Sequence, residues 1–199
     1  MSRNVMVIAG PNGSGKTTFV SEYLRDSEVS VYISADAIAE RLVSSPEEMD
    51  SVKIQAGRLF IREIQGLIQS GTNFIVEVTL AGKGFVRTIS QLKDAGYTVT
   101  IVFIFLKSAE TSVARVRNRV SGGGHHVPTE DVVRRFYRSK YNFWHTYRNL
   151  VDEWHLFYNS AEHPQEVASG EGDEVTVINN DLFELFMQDI RNGGHNASR

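Results

Sequence analysis

The 199-residue chain contains no cysteine, which excludes disulfides and thiolate-held metals. It also lacks any apolar run approaching the roughly 20 residues that a membrane-spanning helix requires. The opening MSRNVMVIAG has too short an apolar region for a secretory leader and no small-residue cleavage site. A cytoplasmic protein is therefore expected. Charge of one sign is equally scarce: 21 Lys and Arg against 24 Asp and Glu leave a net −3. That balance argues against a whole-molecule nucleic-acid binder, while leaving room for a local basic patch.

What the chain has is 41% hydrophobic and 23% charged residues, ordinary for one well-buried core at this length. Apolar runs at 5–9, 31–33, 74–78, 99–106 and 155–158 read as buried parallel strands, with 175–178 as a sixth. Segments of helical period separate them. One opens with Ser45 as N-cap, Pro46 in its first turn and Glu48 completing a capping box. It continues with Val52, Ala56, Leu59, Ile64, Leu67 and Ile68 on one face and stops at Gly71. A second helix starts at Ser108 and runs through Val120, and a third runs from Thr129 to about Leu150. Strands alternating with helices predict an α/β fold with a mostly parallel central sheet of five to six strands. Residues 161–174, AEHPQEVASGEGDE, are polar and Gly-rich and read as a surface excursion. One domain over 1–191 is expected, with 192–199 a frayed tail.

The stretch from Gly10 to Thr18, GPNGSGKTT, directly follows the first apolar run. Gly10 through Thr17 fits G-x-x-x-x-G-K-[ST], with a strand before it and a helix after it. Gly10, Gly13 and Gly15 let the backbone close around an anion, with Pro11, Asn12 and Ser14 completing the loop. The following helix adds its positive end. Lys16 would reach the β- and γ-phosphates, the Thr17 hydroxyl would hold Mg²⁺, and Thr18 completes the ATP-binding set. This is the most specific signal in the sequence, and it identifies nucleotide binding rather than a reaction.

Three other stretches bear on the reaction. In ISADAIAERL, Asp36 falls at the carboxyl end of the second strand, where ligands of such sheets collect. It could take a proton from an attacking hydroxyl, or hold magnesium through water. Alternatively, Asp36 or Ser34 simply caps the helix. In FIVEVTL, Glu77 sits among apolar neighbours, where an ionised group needs a partner; it shares one side of the strand with Thr79. The alternative is a solvent-facing Glu77 on an edge strand. The most basic stretch is ARVRNRVSGGGHHVPTEDVVRRFYRSK. Arg115 and Arg119 lie one turn apart, as do Arg135 and Arg138 on the next helix. The glycines 122–124 between them suggest a short Arg-bearing lid over about 115–138 that supplies transition-state charge. An ordinary solvated basic face would look similar. His125 and His126 have no partner set for zinc.

Together these motifs resemble the zeta-toxin-like P-loop kinase family, most closely its compact bacterial branch of predicted ABC-type ATPases. IAGPNGSGKT, SADAIA, EVTL, RVRNRVSGGGHHVP, RRFYRSKYN and YNS occur in that family's order. The resemblance implies a P-loop NTPase three-layer sandwich that phosphorylates a hydroxyl of a small acceptor with ATP and Mg²⁺. In zeta toxins the acceptor is UDP-N-acetylglucosamine, and a cognate antitoxin restrains the enzyme. Carried over by position, Asp36 would be the general base and Lys16 the phosphate lysine, with Glu77 and Thr79 as acceptor contacts. Arginines among Arg115, Arg119, Arg134, Arg135 and Arg138 would grip phosphates, Arg119 and Arg135 acting in catalysis. Two departures stand out. Ser34 replaces the family Asn, and Ala81 stands where zeta toxins carry an Arg, with Lys83 nearby as a substitute contact.

Two further readings stay open at this level. A polynucleotide 5′-hydroxyl kinase would use the basic stretch with Phe136, Tyr137, Tyr141, Phe143, Trp144 and Tyr147, whose helical spacings suit core packing equally well. A nucleotide-dependent switch acting through a partner would need neither the arginines nor the acid.

Overall fold

The computed structural model describes residues 2–26, 31–43, 49–122, 127–160, 163–172 and 174–193. The elements run β1 (Arg3–Ala9), α1 (Lys16–Asp26), β2 (Tyr32–Ser34), α2 (Ala35–Leu42), α3 (Met49–Ser70), β3 (Phe74–Val78) and α4 (Val86–Asp94). They continue with β4 (Tyr97–Phe105), α5 (Ala109–Ser121), α6 (Thr129–His145), β5 (Glu153–Tyr158), β6 (Gln165–Glu171), β7 (Glu174–Val177) and α7 (Asn180–Gly193). A 3₁₀ turn, Tyr147–Asn149, joins α6 to β5.

The strands form one sheet in the order β2-β3-β1-β4-β5-β6-β7. The first five strands in chain order pair in parallel, and β6 and β7 add antiparallel at one edge. Side chains alternate between the two faces of a strand, and the core divides accordingly. Val5, Val7, Phe74, Val76, Val99, Ile101 and Phe103 share a cluster with residues of α2, α3, α4, α6 and α7. Ile8, Ile75, Val102 and Ile104 face the other way and pack on Phe19 and Val20 of α1. Helices thus cover both faces. α5 joins through smaller apolar clusters that it shares mainly with α6.

The chain leaves β1 toward β2 and β3 on one side and later takes β4 and β5 on the other. The carboxyl end of β1 is therefore the switch point, where open sheets of this type bind ligands.

Several expectations are corrected. The sheet has seven strands, because the supposed surface excursion at 161–174 contains β6 and leads into β7. Gly170 explains the misreading. A Cβ there would lie 2.6 Å from the Trp154 ring, so the indole packs on a strand that advertises itself as a loop. The helix opening with Thr129 ends at His145, short of Leu150. Residues 192 and 193 belong to α7 rather than to a tail. The capping box of Ser45, Pro46 and Glu48 lies outside the described residues, as do Gly123, Gly124, His125 and His126. The stripe along α3 does reach the core, with Ala56 and Ile64 buried and Val52, Leu59, Leu67 and Ile68 packed against it.

Candidate active site

The loop from Gly10 to Gly15 turns through three positive φ angles: 142° at Gly10, 73° at Gly13 and 88° at Gly15. Only glycine adopts such angles readily. Distant elements brace the turn from outside. Ser112 of α5 donates its hydroxyl to the Asn12 carbonyl. Asn159, just beyond β5, donates Nδ2 to the Ser14 carbonyl at 2.8 Å. Ser14 is fully buried and Asn12 nearly so. Among the described residues, the buried Asn12 Oδ1 and Ser14 Oγ have no hydrogen-bond partner. Such orphaned polar atoms are costly in a fold unless a ligand or water satisfies them.

Lys16 and Thr17 open α1. The Lys16 ammonium donates to the Pro11 carbonyl at 3.0 Å and stands 3.9 Å from Glu77 Oε1. Burial pushes its pKa down, against the carboxylates of Glu77 and Asp36, which pull it up; Arg119 and Arg135 push it down further. A buried cation disfavoured by its surroundings is one that an anion would relieve. Thr17 donates its hydroxyl to Glu77 Oε2 at 2.9 Å, and Tyr32 donates to the same oxygen at 2.7 Å. Glu77 is therefore not an exposed edge residue: its side chain is 10% exposed, and β3 lies between β2 and β1.

Ser34 is the N-cap of α2, accepting from the Ala37 N–H. Asp36 is thus released from capping. It lies exposed in the first turn of α2.

Two cavities meet at these side chains. The larger, about 400 Å³, is lined by Asn12, Gly13, Gly15, Lys16, Thr17, Thr18, Asp36, Glu77, Arg115, Arg119 and Asn159. The smaller, about 130 Å³, is lined by Lys16, Ser34, Ala35, Asp36, Phe60, Glu77, Val78 and Thr79. Lys16, Asp36 and Glu77 border both. Thr17 supplies a hydroxyl whose proton is committed to Glu77, leaving its lone pairs for a hard cation. With the two carboxylates nearby, this oxygen donor set suits Mg²⁺. Among the described residues no group of three or more His, Asp or Glu is gathered that could hold a metal.

The remaining predicted residues divide. Arg115 and Arg119 face the larger cavity, and Arg135 is near enough to act on Lys16. Arg134 instead pairs with Asp131 at 2.7 Å on its own helix. Arg138 and Lys83 line neither cavity. The loop after Thr79 is pinned from α6 and the turn beyond it. Leu80, at φ 53°, offers its carbonyl to Asn142 Nδ2 at 3.0 Å, and Gly82 accepts from the Tyr147 hydroxyl at 2.6 Å. Tyr32, Phe60 and Ser112 escape sequence reasoning and carry no signal there, whereas Asn159 enters it only as part of the YNS motif.

The family described as zeta toxin matches residues 2–163. The chain belongs to the zeta toxin family. A relative in Haemophilus influenzae, an uncharacterized protein, is 31% identical over 134 residues, covering 67% of this chain and 92% of its own. Among solved structures, a chain of the AvrRxo1-ORF1:-ORF2 complex with ATP superposes with TM-score 0.73 at 20% identity, over 92% of this chain. The present chain spans only 63% of that one. The PezAT toxin–antitoxin system of Streptococcus pneumoniae gives 0.63 at 16% identity, covering 99% of this chain and 86% of that one. A chain of the Pnkp1/Rnl/Hen1 RNA repair complex gives 0.58 at 17% identity, over 72% of this chain and 46% of that one. At 16 to 20% identity these are likenesses of fold. No helix among the described residues is long and apolar enough to cross a membrane.

Proposed function

We propose that this protein transfers the γ-phosphoryl group of ATP to a hydroxyl of a small acceptor, with Asp36 as the general base. The observation that carries the reading is the shared border of the two cavities. One suits a triphosphate, the other an acceptor, and Lys16, Asp36 and Glu77 stand between them. The acceptor oxygen attacks the γ-phosphorus, the bond to the β–γ bridging oxygen breaks, and the acceptor proton passes to Asp36. ADP and the phosphorylated acceptor leave. Lys16, Arg119 and Arg135 offset the charge on the transferring group, and Arg115 holds the phosphates. Gly10 through Thr18 cradle the nucleotide. When bound at the Thr17 hydroxyl, Mg²⁺ supplies further charge neutralisation.

By family, the proposed acceptor is a UDP-amino sugar and the proposed partner an antitoxin. Ser34, Glu77 and Thr79 border the acceptor cavity. Ala81 carries no charge where zeta toxins have an Arg, and Lys83 does not substitute for it at the cavity wall. A polynucleotide acceptor has the fold likeness to the RNA repair complex in its favour. Against it, Phe136, Phe143 and Tyr147 are fully buried, and Trp144 packs on Trp154, Phe183 and Phe186. These rings build core rather than a platform for stacking bases. Incubation with γ-labelled ATP and a panel of nucleotide sugars, nucleosides and oligonucleotides tests the proposal. Label on a UDP-amino sugar is the expected result; label on an oligonucleotide would favour the second acceptor class. ATP consumption indifferent to every acceptor would remove the kinase reading.

A further inference from the structure

Glu77 is the most heavily engaged side chain of the site, and one of its partners lies outside the nucleotide cavity. Glu77 Oε2 accepts from Thr17 and also from Tyr32. Tyr32 belongs to β2, pairs in register with Ile75 of β3, and sits two residues before Ser34, which pairs with Glu77. Its ring packs on the α1 side of the sheet with Ile8, Val20 and Ile75. The phenol therefore reaches along the sheet face to the carboxylate, and the same short strand delivers Asp36 at its end.

The geometry has a chemical consequence. A threonine hydroxyl coordinates a cation through a lone pair, so its proton must point elsewhere, toward an acceptor. Glu77 Oε2 is that acceptor. A glutamate with free rotamers would swing toward Lys16, whose ammonium is only 3.9 Å from Oε1. The Tyr32 hydroxyl holds the other oxygen over Thr17.

We infer that Tyr32 is a positioning residue: it fixes Glu77, which orients the Thr17 hydroxyl toward the magnesium that accompanies ATP. The inference rests on the nucleotide-site reading above. It gives Glu77 an orienting task beside the metal in addition to any contact with the acceptor. Groups that hold a metal's ligands in place typically change metal affinity about 10- to 100-fold when removed.

Tyr32→Phe removes the hydroxyl and keeps the packed ring. The test uses Mn²⁺ as a spectroscopic probe, titrated by electron paramagnetic resonance into protein loaded with a non-hydrolysable ATP analogue. The expected result is Mn²⁺ affinity weakened by about tenfold, with metal-free analogue binding changed much less, because Tyr32 touches Glu77 and not the turn itself. In a Glu77→Gln background the same substitution should add little, because Tyr32 acts through Glu77. Three results would overturn the inference. Unchanged Mn²⁺ affinity in a variant that still binds the analogue removes the role of Tyr32 and leaves the nucleotide site standing. Equal, additive losses in both backgrounds make Tyr32 a mere packing residue. Failure of the unmodified protein to bind the analogue at all removes the nucleotide site, and this inference with it.

Discussion

A methyl group at Gly10 would sit 2.1 Å from the Ile104 carbonyl oxygen, on a residue whose φ is 142°. Both the crowding and the backbone angle oppose any side chain. Gly10→Ala should therefore destabilise the fold by about 1–3 kcal/mol, the usual cost of a strained backbone residue. It should also abolish binding of an ATP analogue, measured by calorimetry beside a thermal melt. An analogue affinity near normal would show that the turn tolerates another shape. Residues of this kind are legible in sequence because their task is local: glycine spacing, Lys16 and Thr17 lie on one continuous stretch. Asp36 was legible for a related reason, since a strand end followed at once by a helix start places it. Tyr32 was not. Its hydroxyl matters only because β2 pairs with β3 in a register that brings it to Glu77, and no spacing within the chain encodes that meeting.

At the scale of elements, α5 and α6 decide how much positive charge surrounds the larger cavity. Arg115 and Arg119 share the face of α5 that turns to the cavity, four residues apart as a helix face requires. α6 divides its arginines instead, with Arg134 in an ion pair and Arg135 directed at the field around Lys16. Arg119→Ala and Arg135→Ala should each lower the turnover number by about 10²-fold or more, as in-site charges do, with ATP-analogue affinity falling much less. That split marks groups that act chiefly in the transition state. Equal losses in rate and affinity would make them simple anchors. The helices themselves could be read from their period, their Ser108 cap and their acidic first turns. β6 could not. Gly170 has no side chain, and the Trp154 ring arriving from β5 packs over it, a contact created by the sheet rather than by local preference.

The molecule as a whole carries a charge feature unrelated to catalysis. Lys140 of α6 is fully buried, paired with Asp189 of α7 at 2.5 Å. The rings of Phe105, Phe136 and Phe186 surround it, 4.9 to 5.0 Å from the ammonium. Burial lowers its pKa to about 8, against the pull of Asp189. Between pH 8 and its ordinary value near 10.5, the unfolded chain therefore holds a proton that the folded chain has released. Stability should rise with pH across that interval. Tyr32, Tyr97, Tyr137 and Tyr147 act in the opposite sense. Their folded pKa values are raised, so their contribution is lost as pH climbs past about 10. Urea unfolding at pH 7.5 and at pH 9.5 should show a gain of about 1–2 kcal/mol at the higher pH, since each tenfold difference in proton affinity between the folded and unfolded chain is worth about 1.4 kcal/mol. Lys140→Met should reduce that gain, leaving the part that the buried Lys16 ammonium adds in the same sense. An unchanged slope in the variant would assign it to other groups.

The proposed site reduces to one arrangement: a triphosphate held by the turn at 10–17, with its last phosphate placed before Asp36. Single-turnover transfer of label from γ-labelled ATP by Asp36→Asn, measured beside ATP binding on the same preparation, tests that arrangement most directly. Binding should be preserved within about twofold, since Asp36 is not asked to hold the nucleotide. Transfer to the acceptor should fall by about 10²- to 10⁴-fold, the usual contribution of a general base. Transfer at the unmodified rate, with binding intact, would contradict the account.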